Sequence, residues 1–196
     1  YLSSLADAMD EKWIKELISR NPPGAEKYSD MALWDLNTSY LAKGSVIDVP
    51  AGEIVERPIE MSLNGLDDTY TSLRFIIRVQ DNAELTLIEN HNGKGEYWKN
   101  HISQIILGKN AKLNHIRIVN DSNDSAYTQT THVQIERDAN YECFTLTNGT
   151  GFSRHQVHAE LKGVNGNASF NGLNLLSGKQ HACLLYTSDA ADESRG

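Results

Sequence analysis

The chain has 196 residues, with 26 acidic against 18 basic side chains and a formal net charge of -8. That balance, with no block of Lys and Arg, argues against an electrostatic nucleic-acid binder, and no apolar run approaches the roughly 18 residues that cross a bilayer. Cys143 and Cys183 make neither a disulfide framework nor a Cys-x-x-Cys metal motif, so a single domain in a reducing, cytoplasmic setting is expected, with no secretory signal visible.

Residues 1–44 read as an N-terminal helical segment. It starts at Tyr1 rather than Met, so an internal start is expected. Leu5, Met9, Trp13 and Leu17, with Ile14 and Ile18 beside them, fit one helix face. Ser3 or Ser4 supplies a cap, and Asn21-Pro22-Pro23 a stop. A second helix is predicted from Asp30 to Leu41, with Leu33, Leu36 and Tyr40 on one face and Gly44 ending it. These helices are expected to cap the open end of the strand region that begins at residue 45.

Residues 45–182 carry an internal repeat, opened by Val46-Ile47-Asp48-Val49. Asp81-Asn82-Ala83-Glu84-Leu85, Lys109-Asn110-Ala111-Lys112-Leu113, Arg137-Asp138-Ala139-Asn140-Tyr141 and Gly166-Asn167-Ala168-Ser169-Phe170 place alanines at spacings of 28, 28 and 29. Gly52 aligns with Ala83 as an earlier copy. Six and four residues before the alanine come Ile77, Ile105 and Val133, then Val79, Leu107 and Ile135. Two after it come Leu85, Leu113, Tyr141 and Phe170; five after come Ile88, Ile116, Phe144 and Leu173. Alternation such as Thr131 to Glu136 marks half-buried strands. Polar loops follow at Asn90–Lys99 and Asn120–Ala126.

One such unit cannot bury its own apolar face, whereas stacked units close a continuous core. The predicted fold is mainly β, a right-handed parallel β-helix (a β-solenoid with a repeat of about 28 residues), right-handed because parallel crossovers nearly always are. A β-sandwich or β-roll is the alternative.

Residues 183–196 are expected to be a non-native tail. The run Cys183-Leu184-Leu185-Tyr186-Thr187-Ser188-Asp189-Ala190-Ala191-Asp192-Glu193 resembles the translation of a sequencing-library adapter, and the repeat register is expected to end where it begins. Without this tail, 23 acidic and 17 basic residues leave a net charge of -6 and one cysteine.

No catalytic or metal residue is assigned from the pattern, and cofactor-binding residues remain unknown. His155 and His158, three apart in a strand-like run, fall on opposite faces and read as solvated outward positions. His115 and Cys143 both follow their alanine by four residues and should lie one rung apart. Thiolate and imidazole there suit a metal, but a core thiol with a satisfied histidine is the simpler reading. Glu89, Glu136 and Glu160 read as scattered outward carboxylates. Gly93-Lys94-Gly95 lacks the ending of a phosphate loop, and there is no Gly-x-Ser-x-Gly elbow.

Val49-Pro50-Ala51-Gly52-Glu53, Glu56-Arg57-Pro58-Ile59 and Ala83 to Glu89 come first in a longer pattern. Asn110-Ala111-Lys112-Leu113, Glu136-Arg137-Asp138-Ala139 and Leu161-Lys162-Gly163 follow. In that order, over residues 30 to 182, they resemble the SufB/SufD family of the SUF iron–sulfur assembly system, and its SufD branch more than SufB. The resemblance implies a right-handed β-helix with helical ends. It further implies a non-catalytic subunit that pairs with a SufB-like paralogue and sits on a SufC-like ATPase, with no nucleic acid or membrane partner. No cofactor is expected on this segment, the iron–sulfur cluster belonging to the parent complex. The family's functional histidine and SufC-gripping helices map beyond Ala182, so neither His115 nor His158 inherits a role. A carbohydrate-active, pectate-lyase-like β-helix enzyme is the alternative function.

Overall fold

The structure, a computed structural model, describes residues 1–19, 31–41 and 43–190. A short strand β1 (Leu2–Ser4) leads into helices α1 (Leu5–Ala8), α2 (Lys12–Ser19) and α3 (Ala32–Ser39). Eleven strands follow: β2 (Lys43–Val49), β3 (Ile59–Gly65), β4 (Thr69–Val79), β5 (Glu84–Gly93), β6 (Tyr97–Leu107) and β7 (Lys112–Asn120). The last five are β8 (Ala126–Ile135), β9 (Asn140–Thr147), β10 (Phe152–Leu161), β11 (Asn167–Asn174) and β12 (His181–Ala190).

From β2 onward the chain alternates between two sheets. The seven-stranded sheet runs β1-β2-β4-β6-β8-β10-β12, and the five-stranded sheet runs β11-β9-β7-β5-β3. Every pairing is parallel except β1 with β2. The two sheets face each other across a filled lumen, which is the β-solenoid predicted from the repeat.

The corner that sets the period is an Asx residue in the left-handed region. Asn82, Asn110, Asp138 and Asn165 have φ of 59°, 56°, 59° and 59°. Short polar side chains tolerate this conformation where other non-glycine residues do not. The next residue closes the turn: the N–H groups of Ala83, Ala111 and Ala139 donate to the carbonyls of Gln80, Gly108 and Glu136 at 3.1, 3.1 and 3.2 Å. Those alanines are fully buried.

Two alignments shift from the sequence reading. Gly52, with φ of 76°, occupies the place of Asn82 rather than Ala83; its N–H reaches Asp81 O just as that of Asn82 reaches Lys109 O. In the fourth copy Gly166, not Ala168, follows the left-handed residue, and Ala168 pairs with Tyr141. The apparent spacing of 29 is therefore a step of 27 from Asp138 to Asn165.

Near this corner the lumen is apolar. Val49, Val79, Leu107 and Ile135 form one column, Ile47, Ile77, Ile105 and Val133 the next, with Leu85, Leu113 and Tyr141 opposite. Each buried Val, Leu or Ile contributes roughly 1.5–3 kcal/mol. The residues expected five after the alanine point outward instead: Phe144 is exposed, Ile88 and Ile116 are half-buried, and Leu173, which pairs with Leu146 rather than Phe144, is exposed as well. Alternation requires this, because odd offsets face away from the even ones.

The helical segment also differs from expectation. The first predicted helix is broken at Met9–Glu11 into α1 and α2, with the Asp7 N–H donating to Ser4 Oγ at 3.1 Å as the cap. The predicted stop at Asn21-Pro22-Pro23 lies outside the described residues. In α3 the buried residues are Trp34 and Asn37, and Tyr40 is exposed. Asn37 docks the helix on the outer face of the seven-stranded sheet, donating to Leu73 O at 3.0 Å and Asn100 O at 2.8 Å. Arg74 reaches back to Asn37 Oδ1 and Thr38 Oγ1 at 3.1 and 2.8 Å. These helices thus cover a sheet face, while β1 covers the end by pairing with β2. Gly44 ends no helix; it lies within β2.

At the other end β12 pairs with β10 from Phe152↔His181 to Leu161↔Ala190, so strand pairing runs across residue 182 into the segment expected to lie outside the fold. The unpaired edge of β10 accepts any extended, proline-free chain. Leu173, Leu175, Leu176, Leu185 and Tyr186 are exposed there.

Candidate functional site

Beyond Leu87 the inward positions of β5 turn from apolar to charged. Alternation from Leu85 and Leu87 points Glu89 and His91 into the lumen, where both are fully buried. The register β5–β7–β9 brings His115 and Arg117 beside them on β7, and Tyr141 and Cys143 on β9. Across the lumen β6, β8 and β10 supply His101 and Ser103, then Tyr127, Gln129 and Thr131, then His155.

Glu89 is the hub. Its Oε2 takes the Arg117 Nε–H at 3.2 Å and lies 3.2 Å from His91 Nε2. Its Oε1 makes an ion-pair contact with His115 Nε2 at 3.2 Å and has no hydrogen-bond partner. His115 Nδ1 meets the Tyr141 hydroxyl at 2.9 Å. Arg117 also donates to Tyr127 OH at 2.5 Å and to His155 Nδ1 at 3.0 Å. His155 Nε2 then pairs with Thr131 Oγ1 at 3.0 Å, and Tyr127 donates to Gln129 Oε1 at 2.5 Å. The whole network spans three rungs of both sheets.

Burial alone would raise the Glu89 carboxyl, but His115 and the hydrogen bond from His91 outweigh it and hold Glu89 well below its ordinary range. Burial pushes His91 down to about 4 against the pull of Glu89. His101 and His155 are also pushed well below 6.5 by burial, His155 further by Arg117. Burial would lower Arg117 too, yet Tyr127 and Glu89 hold it above its usual value. Near neutral pH the lumen therefore holds a paired carboxylate and guanidinium beside neutral imidazoles at His91, His101 and His155.

A second buried ion pair lies nearby. Lys99 Nζ is 2.7 Å from Asp121 Oδ1, which also accepts from Tyr97 OH at 2.5 Å. Tyr97 threads past Gly65 and Gly93, register partners whose Cβ atoms would fall 2.3 and 2.1 Å from it. Strands β5 and β6 consequently extend through Gly93 and from Tyr97, shortening the loop expected over Asn90–Lys99.

Several sequence expectations change here. Glu89 is not an outward carboxylate but the centre of the lumen network. Glu136 and Glu160 do face outward, Glu160 within 3.6 Å of Lys162 and 3.9 Å of His132. His155 and His158 lie on opposite faces as spaced, yet both are buried: His155 in the lumen, and His158 on the outer face against Thr187 at 3.1 Å. His115 and Cys143 are adjacent register partners, as their spacing requires. The Cys143 thiol is raised by burial and lies 3.9 Å from Thr145 Oγ1. His91, His101, Arg117 and Tyr127 carried no signal of residue type; strand parity counted from Leu85 would have found those on β5 and β7.

Residues 61–193 match the SufBD core domain of the SUF system for iron–sulfur cluster assembly, well over half of the chain. The chain belongs to the SufBD family. An iron–sulfur cluster assembly SufBD family protein of Synechocystis is 26% identical over 186 residues, covering 88% of this chain and 40% of that protein. The chloroplastic protein ABCI7 of Arabidopsis thaliana is 30% identical over 141 residues, or 66% of this chain and 30% of its own length. The iron-sulfur cluster assembly protein SufD of Plasmodium berghei is 28% identical over 122 residues, covering 60% of this chain and 9% of that protein. The chain thus spans at most 40% of the length of these relatives. Among the described residues no helix is long and apolar enough to cross a membrane.

Proposed function

We propose that this SufBD-family chain belongs to a non-catalytic scaffold subunit of iron–sulfur cluster assembly, of the SufD kind. Its partners in this reading are a SufB-like paralogue and a SufC-like ATPase, and the cluster is cargo of the parent complex rather than a group held by this segment. The observation that carries the reading is the match to the core domain over residues 61–193.

Geometry supports a scaffold over a catalyst. The Glu89 network is sealed in the lumen between two sheets, where no polymeric substrate reaches it. A polysaccharide-cleaving β-helix needs its acidic and basic residues on an open sheet face. Solenoids stack rung on rung, and the exposed apolar end at Leu173, Leu175 and Leu185 offers the kind of surface another rung or subunit covers. The compartment in this reading is a reducing one, cytoplasmic or, as for the Arabidopsis relative, chloroplastic.

Co-expression of the full-length protein with SufB-like and SufC-like partners tests this. A stable complex of all three, with cluster formation lost when this subunit is omitted, is the expected result. Failure to co-purify, or polysaccharide cleavage by the protein alone, overturns it.

A further inference from the structure

We propose that Glu89, His91 and His101 form a binding site for one divalent transition-metal ion inside the solenoid. One donor atom from each lies within 4.8 Å of the other two, and all three side chains are fully buried. The proposal stands apart from the role in cluster assembly.

The donors are under-used as the chain stands. His91 Nε2 is engaged by Glu89, which leaves His91 Nδ1 buried without a partner. Glu89 Oε1 likewise has no hydrogen bond. His101 makes only long contacts, 3.3 Å to Ser103 Oγ and 3.5 Å to Tyr127 OH. An unpaired polar atom in a dry interior costs roughly 1–3 kcal/mol, so under-used donors converging on one point call for a common partner.

Two imidazoles and a carboxylate select the class of ion. That set suits Zn²⁺, Fe²⁺ or Co²⁺ better than the hard ions Ca²⁺ and Mg²⁺. A four-coordinate ion at about 2.1 Å from each ligand holds its ligand atoms about 3.4 Å apart. From ligand atoms within 4.8 Å of one another, and rings tilted by 42° with centroids 5.6 Å apart, side-chain rotation would bring the triad to that size. Arg117 touches the triad through Glu89 Oε2, and His115 Nε2 lies 3.2 Å from Glu89 Oε1. The hydrogen bonds of Arg117 to Tyr127 and His155 hold the guanidinium in place beside the carboxylate when a Glu89 oxygen turns toward an ion. A cavity of about 20 Å³, whose lining includes Arg117, Tyr127, His155 and residues 182–184, adjoins Glu89 through Arg117 and has room for an ion or a water.

Titration of the metal-free chain with Co²⁺ tests the site. Visible absorption of protein-bound Co²⁺ is expected to saturate at one ion per chain and to be displaced by Zn²⁺. His91→Gln and His101→Gln are each expected to weaken Co²⁺ binding at least about tenfold, whereas the exposed-histidine control His181→Gln leaves it unchanged. Should either lumen variant fail to fold, ¹⁵N NMR of the histidine rings in the unaltered chain decides the matter. Zn²⁺ is expected to shift the ring nitrogens of His91 and His101. No saturable binding, unchanged affinity in the folded variants, or shifts confined to other histidines overturns the proposal.

Discussion

The two halves of the lumen hang on the same strands and differ only in how far along each strand one looks. Beside the Asx corner, columns of Val, Leu and Ile fill the space between the sheets. A few residues further along β5 and β7, the same inward positions hold Glu89, His115 and Arg117. The apolar half gains stability in proportion to the area it hides, in any arrangement that packs. The polar half recovers its desolvation cost only if each charge finds its partner. It adds little net stability for its size, yet it penalises any slip of one rung against the next. One half supplies the energy, and the other fixes the register.

The largest way to break this contrast is acid. His91, His101, His132 and His155 are all held below their ordinary 6.5, so the folded chain keeps them neutral while the unfolded chain protonates them. Their contribution is complete above about pH 6.5 and is lost as pH falls toward about 4, and Glu89 adds its own loss below its ordinary 4.5. Each histidine protonated only on unfolding contributes a slope of about 1.4 kcal/mol per pH unit. Urea midpoints measured from pH 7 down to pH 5 should drop steeply; a flat profile would mean that the imidazoles are not sealed.

Next in size is Glu89→Ala, which strands Arg117 and should cost about 3–5 kcal/mol in denaturant melts. The double variant Glu89→Leu with Arg117→Leu should recover most of that loss, because it removes the need for pairing. Leu107→Ala, in the apolar half, should cost about 2–5 kcal/mol with no such rescue available from a second site. The smallest effect belongs to the corner. Asn110→Ala places a Cβ-bearing residue without a polar side chain at φ of 56° and should cost about 1–2 kcal/mol, whereas Asn110→Gly should be nearly neutral.

Much of the fold was legible because the corner advertises itself. Asx followed by Ala recurs at a fixed interval, and the columns at -6, -4 and +2 are apolar in every copy where the structure finds them inward. The fourth copy misled because Ala168 is an alanine two residues past the true position, held by Gly166. The helices misled through composition: Trp34 and Asn37, rather than Leu33 and Tyr40, meet the sheet, since the sheet face beneath offers Arg74 and Asn100 as well as apolar side chains. The lumen network was hidden for the opposite reason. Residue type says that Glu points to water, and only parity counted from Leu85 says otherwise.

The links from Glu89 to Arg117 and from Arg117 to His155 each join one rung to another. A stack held only by nearest-neighbour burial frays rung by rung from its free end. Here, loss of the β10 rung uncovers Arg117, and loss of Arg117 uncovers Glu89, so the middle of the molecule opens as a block or stays shut. Native-state hydrogen exchange would then divide the chain into two classes. Amides of β11 and β12 exchange early and independently, while those of β5 through β10 share one opening free energy.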